Sequence, residues 1–163
     1  KTMPGVTGPL GYFDPAGFSD DITEGKARFY REVEIKHARL AMLAAVGFPL
    51  AEQFHPLFNS DDAPSYLAFQ QTPLQTFWPA VIMAISVLET FSVFTFENPT
   101  VELWAVSKDH AAGDFGFDPL GLKPDNAAEL AELQTKELNN GRLAMIGIAG
   151  MVVQELVSSS KLF

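Results

Sequence analysis

The chain has 163 residues, no cysteine and a formal net charge of −9. That excludes disulfides, thiolate metal sites and thiol catalysis. It also excludes nucleic-acid binding, which needs cations to displace condensed counterions. Hydrophobic residues make up 47% of the chain and the mean hydropathy is +0.10, which fits a few apolar spans joined by polar loops in one domain, residues 1–163. The acidic residues gather in loops and helix starts (Asp20, Asp21, Glu24; Asp61, Asp62; Asp125, Glu129, Glu132) and read as solvated surface. The chain opens on Lys1, with no basic stretch leading into an apolar run, so a precursor whose targeting segment has been removed is expected.

The first element is a loop, Phe13-Asp14-Pro15-Ala16-Gly17. A helix is expected from about Lys26 to Phe54, containing EIKHARLAMLAAVG at 34–47, with Pro49 bending its last part. The middle stretch from Ala63 to Leu88 has no charged residue. Its early prolines, Pro64, Pro73 and Pro79, place a helix start near Leu74, and the helix should run to about Phe96, interrupted only by Glu89 and stopped by Asn98-Pro99. That is close to the ~20 residues needed to cross a bilayer. A second loop, Phe117-Asp118-Pro119-Leu120-Gly121, then precedes a helix from about Ala127 to Val157, with ELNNGRLAMIGIAG at 137–150.

The two halves repeat. Glu, Arg, Leu, Ala, Met and Gly recur at 34/137, 39/142, 40/143, 41/144, 42/145 and 47/150, an offset of 103, and the Phe-Asp-Pro loops recur at an offset of 104. A duplicated loop-plus-helix unit around a middle helix is the simplest origin. The uncharged runs of the outer helices, Leu40–Ala51 and Leu143–Gln154, are short for a span. They lengthen if the charges at their starts are paired. Glu34 and Arg39 are i and i+5, as are Glu137 and Arg142, and so face different ways on each helix. Two crossing helices would instead let Glu34 meet Arg142 and Glu137 meet Arg39, leaving no stranded charge. Small residues on both helices (Ala38, Ala41, Ala44, Ala45; Gly141, Ala144, Gly147, Gly150) suit close approach.

The ligand types follow. One oxygen of a paired carboxylate can take the arginine while the other faces outward. Glu34 and His37 are i and i+3, as are Glu137 and Asn140, and Gln154 lies nearly four turns beyond Asn140 on the same face. These are single neutral or neutralised donors spread along helices, not a cage around one ion. They suit separate metals that each need one axial ligand, such as the magnesium of a chlorophyll. The rival is a di-iron carboxylate bundle, since Glu34-x-x-His37 has the right spacing. Asn140 replaces the second His there, Glu89 is the lone middle-helix acid, and the arginines would compete with a dication.

The segments Glu34-Ile-Lys-His37-Ala-Arg39-Leu-Ala-Met42 and Glu137-Leu-Asn-Asn140-Gly-Arg142-Leu-Ala-Met145 closely resemble the signature of the light-harvesting chlorophyll-binding family, over nearly the whole chain. The resemblance implies an all-α protein of three transmembrane helices, the first and third crossed and related by pseudo-two-fold symmetry. It implies chlorophyll magnesium ligation by Glu34, His37, Glu137, Asn140 and Gln154, with Glu89 as the middle-helix ligand and Arg39 and Arg142 as the charge partners. Phe13, Asp14, Phe117 and Asp118 would serve carotenoid head groups, or form ordinary Asp-Pro turns. His55 is either a further ligand or an interface residue, Gln75 is a weaker candidate, and His110 reads as a loop residue. The plant proteins carry a short amphipathic helix with another His ligand after the third helix, a site expected to be lost here.

PLGYFDPAGF, EQFHPLF, PSYLAFQQTPLQTFWPAV and KELNNGRLAMIGIAGMVVQELV are most similar to dinoflagellate chlorophyll a/c–peridinin membrane antennas, and next to diatom fucoxanthin–chlorophyll proteins. That implies chlorophyll a, chlorophyll c and carotenoids: peridinin with diadinoxanthin, or fucoxanthin. It implies a multi-pass chloroplast thylakoid protein, no enzyme, with a photosystem core (I or II), neighbouring antenna subunits and thylakoid lipids as partners. A photoprotective, energy-quenching member of the same family is the alternative role.

Overall fold

The computed structural model describes residues 4–54, 64–68, 70, 74–92, 96 and 104–162. It contains four helices: α1 (Glu24–Phe54), α2 (Ser65–Ala68), α3 (Leu74–Ser92) and α4 (Ala127–Ser158). Among the described residues there are no strands beyond two isolated β-bridges, Thr7 with Gly11 and Phe96 with Val106.

α1 starts two residues ahead of the sequence expectation, because Thr23 caps it. Its Oγ1 accepts from the Lys26 N–H at 3.2 Å and its carbonyl from the Ala27 N–H at 3.0 Å. Asn126 caps α4 in the same way: its Oδ1 accepts from the Ala128 N–H at 3.0 Å, while its amide donates to Glu129 at 3.3 Å. α4 closes on Ser159, at φ 50°, whose N–H donates to the Glu155 carbonyl at 2.8 Å. α3 is described as far as Ser92, and residues 93–95, which precede its expected end near Phe96, lie outside the described residues. Phe96 forms the bridge with Val106, its ring packed with Phe29 and Trp104.

The chain divides into two compact units, Lys1–Arg39 with Thr95–Arg142, and Leu40–Phe94 with Leu143–Phe163. In the first, Gly141 of α4 abuts Ala38 of α1: a Cβ at 141 would lie 2.2 Å from the Ala38 Cβ. Only a residue without a side chain allows the helices so near. Ile35 and Leu138 are buried beside that contact. The loop before α4 is tied down by the Val106 N–H to the Gly25 carbonyl at 3.2 Å and by Arg28 Nε to the Val106 carbonyl at 3.1 Å.

In the second unit, Glu155 and Glu52 are buried carboxyls, again 103 residues apart. Glu155 accepts from the N–H groups of Ser65 and Tyr66 at 3.1 and 2.9 Å, and Glu52 from Leu162 at 2.9 Å. α3 turns large apolar side chains outward, among them Phe77, Ile82, Met83, Leu88 and Phe91. The hydroxyls of Ser86 and Thr90 fold back onto the Ile82 and Ser86 carbonyls at 2.8 Å, so they place no unpaired polar group on that apolar helix. Among the described residues α4 is long and apolar enough to cross a membrane. Leu143, Ile146, Val153 and Val157 lie exposed along it, as expected where lipid or bound apolar molecules cover a helix.

Candidate functional site

The charged residues singled out in the two repeated helices pair across them. Arg142 Nε donates to Glu34 Oε1 at 2.8 Å, and Arg39 Nε donates to Glu137 Oε1 at 2.7 Å. Each guanidinium also reaches a loop carbonyl through Nη1: Arg142 to Gly5 at 2.6 Å, and Arg39 to Gly113 at 2.9 Å. Both glycines hold a positive φ, 92° and 77°, which side chains rarely adopt. A Cβ would also strike Leu138 at 2.7 Å from Gly5 and Ile35 at 2.9 Å from Gly113. The loops therefore end on carbonyls aimed at the arginines, and only glycine fits there.

One expectation fails at Glu34. Its second oxygen does not face outward; Oε2 accepts from Arg31 Nη1 at 2.8 Å. Glu137 has Gln134 where Glu34 has Arg31. Each Glu34 oxygen keeps a further lone pair and the side chain stays 29% exposed, so Glu34 can still offer a single axial oxygen. His110 is likewise more than a surface loop residue: its Nε2 bonds the buried Glu32 carboxylate at 3.3 Å, and the Gly113 N–H donates to the same oxygen at 2.7 Å.

The uncharged ligand candidates project outward. His37, Asn140 and Gln154 are exposed, as are Gln75 and Glu89 on α3. His37 Nδ1 lies 2.8 Å from the Val33 carbonyl. A carbonyl only accepts, so Nδ1 carries the proton and Nε2 keeps its lone pair for an external metal. His55 lies outside the described residues.

The Phe-Asp-Pro loops are built alike. Asp14 accepts from the N–H groups of Phe18 and Ser19 at 3.0 and 2.8 Å, and from the Ser19 hydroxyl, which also meets the Tyr12 phenol. Asp118 accepts from the N–H groups of Leu122 and Lys123 at 3.0 and 2.9 Å. Each loop walls a cavity of about 620 Å³, one reaching Glu34 and Arg142, the other Glu137 and Arg39. Phe13 and Phe117 lie exposed at their mouths.

The hydrogen bond from the Ser19 hydroxyl, then that from its N–H, hold Asp14 below the ordinary carboxylate range. The N–H groups of Lys123 and Leu122 do the same for Asp118. A carboxyl lowered in the folded state stabilises it above its unfolded value of about 3.9, and that contribution is lost as pH falls through the folded value. Pepsin cleavage within 13–19 should therefore accelerate below about pH 4. The Asp14→Asn protein should follow only the pH dependence of pepsin itself; a wild-type rate that does the same would refute the role of Asp14.

Residues 1–156 match the Chlorophyll A-B binding protein family. The chain belongs to that family. It is 48% identical to the light-harvesting complex stress-related proteins 1 and 3.2 of Chlamydomonas reinhardtii, with all of this chain aligned to 68% and 66% of theirs. It thus spans about two thirds of the length of those relatives. A fucoxanthin-chlorophyll a-c binding protein of Isochrysis galbana is 41% identical over 96% of this chain and 77% of its own. These relatives are chloroplastic. The chain is accordingly a chlorophyll-binding protein of the light-harvesting kind.

Proposed function

We propose that this chain is an antenna scaffold of three transmembrane helices, α1, α3 and α4, with α1 and α4 crossed about a pseudo-two-fold axis. The reciprocal pairs Glu34–Arg142 and Glu137–Arg39 carry the reading: they neutralise charge inside the helices and leave donors facing outward. Glu34, His37, Glu89, Glu137, Asn140 and Gln154 would each supply an axial oxygen or nitrogen to one chlorophyll magnesium. His55 and Gln75 are further candidates. The Asp14 and Asp118 loops offer N–H groups and carbonyls to carotenoid rings.

When bound, chlorophyll absorbs light and passes the excitation on by proximity. The protein fixes position and orientation. The Val33 carbonyl sets the ring plane of His37, and Arg39 sets that of the Glu137 carboxylate, so the geometry of excitation transfer is built into helix side chains. Chlorophyll a and c with peridinin and diadinoxanthin, or with fucoxanthin, is the proposed pigment set. A photosystem core, neighbouring antennas and thylakoid lipids are the proposed partners. A second reading, photoprotective quenching, is favoured by the 48% identity to stress-related proteins.

Pigment chromatography of the protein purified from thylakoids in mild detergent tests both. Chlorophyll a and c with peridinin is expected, fucoxanthin would change the carotenoid alone, and a colourless protein would overturn the proposal. His37→Leu should retain the fold by circular dichroism and lose a single chlorophyll. A long fluorescence lifetime for the isolated holoprotein supports harvesting, and a short one quenching.

A further inference from the structure

The two arginine–glutamate pairs match across the repeat, but their surroundings differ by one charge. Glu34 takes Arg142 on one oxygen and Arg31 on the other, both at 2.8 Å. Glu137 takes Arg39, and the position corresponding to Arg31 is Gln134. Two arginines and one glutamate leave the Glu34 group at +1, while one of each leaves the Glu137 group neutral. The remaining charges of the two cavities keep that difference. Asp14 in one brings its sum to zero; Asp114, Asp118 and Lys123 in the other bring its sum to −1.

The excess charge is only partly in water: the Arg31 side chain is 15% exposed and that of Arg142 39%. The two guanidiniums crowd the same glycine: a Cβ at Gly5 would lie 3.2 Å from Arg31 Nη1 and 3.5 Å from Arg142 Nη2. Two like charges sharing one carboxylate in an apolar setting are relieved by a second anion, and guanidinium groups take a carboxylate with paired N–H donors.

We propose that the cavity beside Glu34 selects a pigment bearing a free carboxylate, held by Arg31 and Arg142, whereas the cavity beside Glu137 takes pigments whose acids are esterified. This rests on the pigment reading above. Among chlorophylls that chemistry separates the c type, whose acrylic acid side chain is free, from the a type, whose acid is esterified. Arg31 is then the specificity residue and Gln134 marks its absence.

The test is refolding of the full chain with chlorophyll a, chlorophyll c, carotenoid and phosphatidylglycerol, followed by pigment and lipid counts per polypeptide. Arg31→Gln should lose a single chlorophyll c and keep its chlorophyll a, and Gln134→Arg should raise the c-to-a ratio. Methyl-esterified chlorophyll c offered to the wild-type chain should reproduce the Arg31→Gln loss, which decides the matter even if that variant does not refold. Acid and methyl ester bound equally by the wild type, or unchanged chlorophyll c in Arg31→Gln, overturns the proposal. Loss of phosphatidylglycerol in place of chlorophyll c also overturns it, by assigning the cations to lipid. A wild-type chain that takes up no pigment would instead sink the antenna reading itself.

Discussion

Gly141→Ala will destabilise the protein even though alanine favours a helix over glycine by about 1 kcal/mol. The added Cβ would lie 2.2 Å from the Ala38 Cβ and 2.9 Å from its Cα, so backbone has to move and no side chain can swing away. Overpacking of this kind costs about 1–3 kcal/mol, and here the upper end is expected because both contacts lie on a helix backbone or its first carbon. Thermal melts followed by circular dichroism should show Gly141→Ala well below wild type. Gly147→Ala, where nothing lies within 4 Å of the added carbon, should match or exceed it. Equal melting of the two variants would mean that Ala38 and Gly141 do not set the approach of α1 to α4.

Removing a carboxylate will cost more than removing its whole pair, and the two halves of the repeat will differ in how fully the second substitution rescues. Breaking a buried pair on one side costs about 3–5 kcal/mol, since a charge is left without its partner. These pairs keep 29–41% side-chain exposure, so the lower end applies. Glu137→Leu strands Arg39 alone, and Glu137→Leu with Arg39→Leu strands nothing. Glu34→Leu strands two arginines, and adding Arg142→Leu still leaves Arg31. Unfolding free energies should show nearly complete rescue at Glu137 and partial rescue at Glu34. Equal costs for single and double substitutions would refute the pairing as the source of stability.

The difference between the halves also shows where sequence reading stops. Identities at an offset of 103 locate the outer helices and pair Glu34 with Arg142 and Glu137 with Arg39, because charges in apolar helices have few partners to choose from. The same method passes over Arg31, since a repeat is recognised by what recurs and Gln134 does not match. It also passes over Gly5 and Gly113, which lie 108 apart and follow no helical spacing. Their role needs the loop path and its positive φ. The caps at Thr23 and Asn126 follow ordinary rules of helix starts, and Thr23 moves the first boundary by two residues. The packing of Phe96 on Val106 and on the rings of Phe29 and Trp104 is a tertiary contact that no local pattern announces.

α2 has only four residues, far fewer than a helix needs to stand by itself. Its first two N–H groups are held by Glu155, from 90 and 89 residues further along the chain. A ribosome delivers that carboxylate long after Ser65. The turn at Ser65 therefore cannot settle until α4 has been made. Assembly at this end is thus ordered from the last helix backwards, and a chain truncated before Glu155 would carry α1 and α3 without the turn between them.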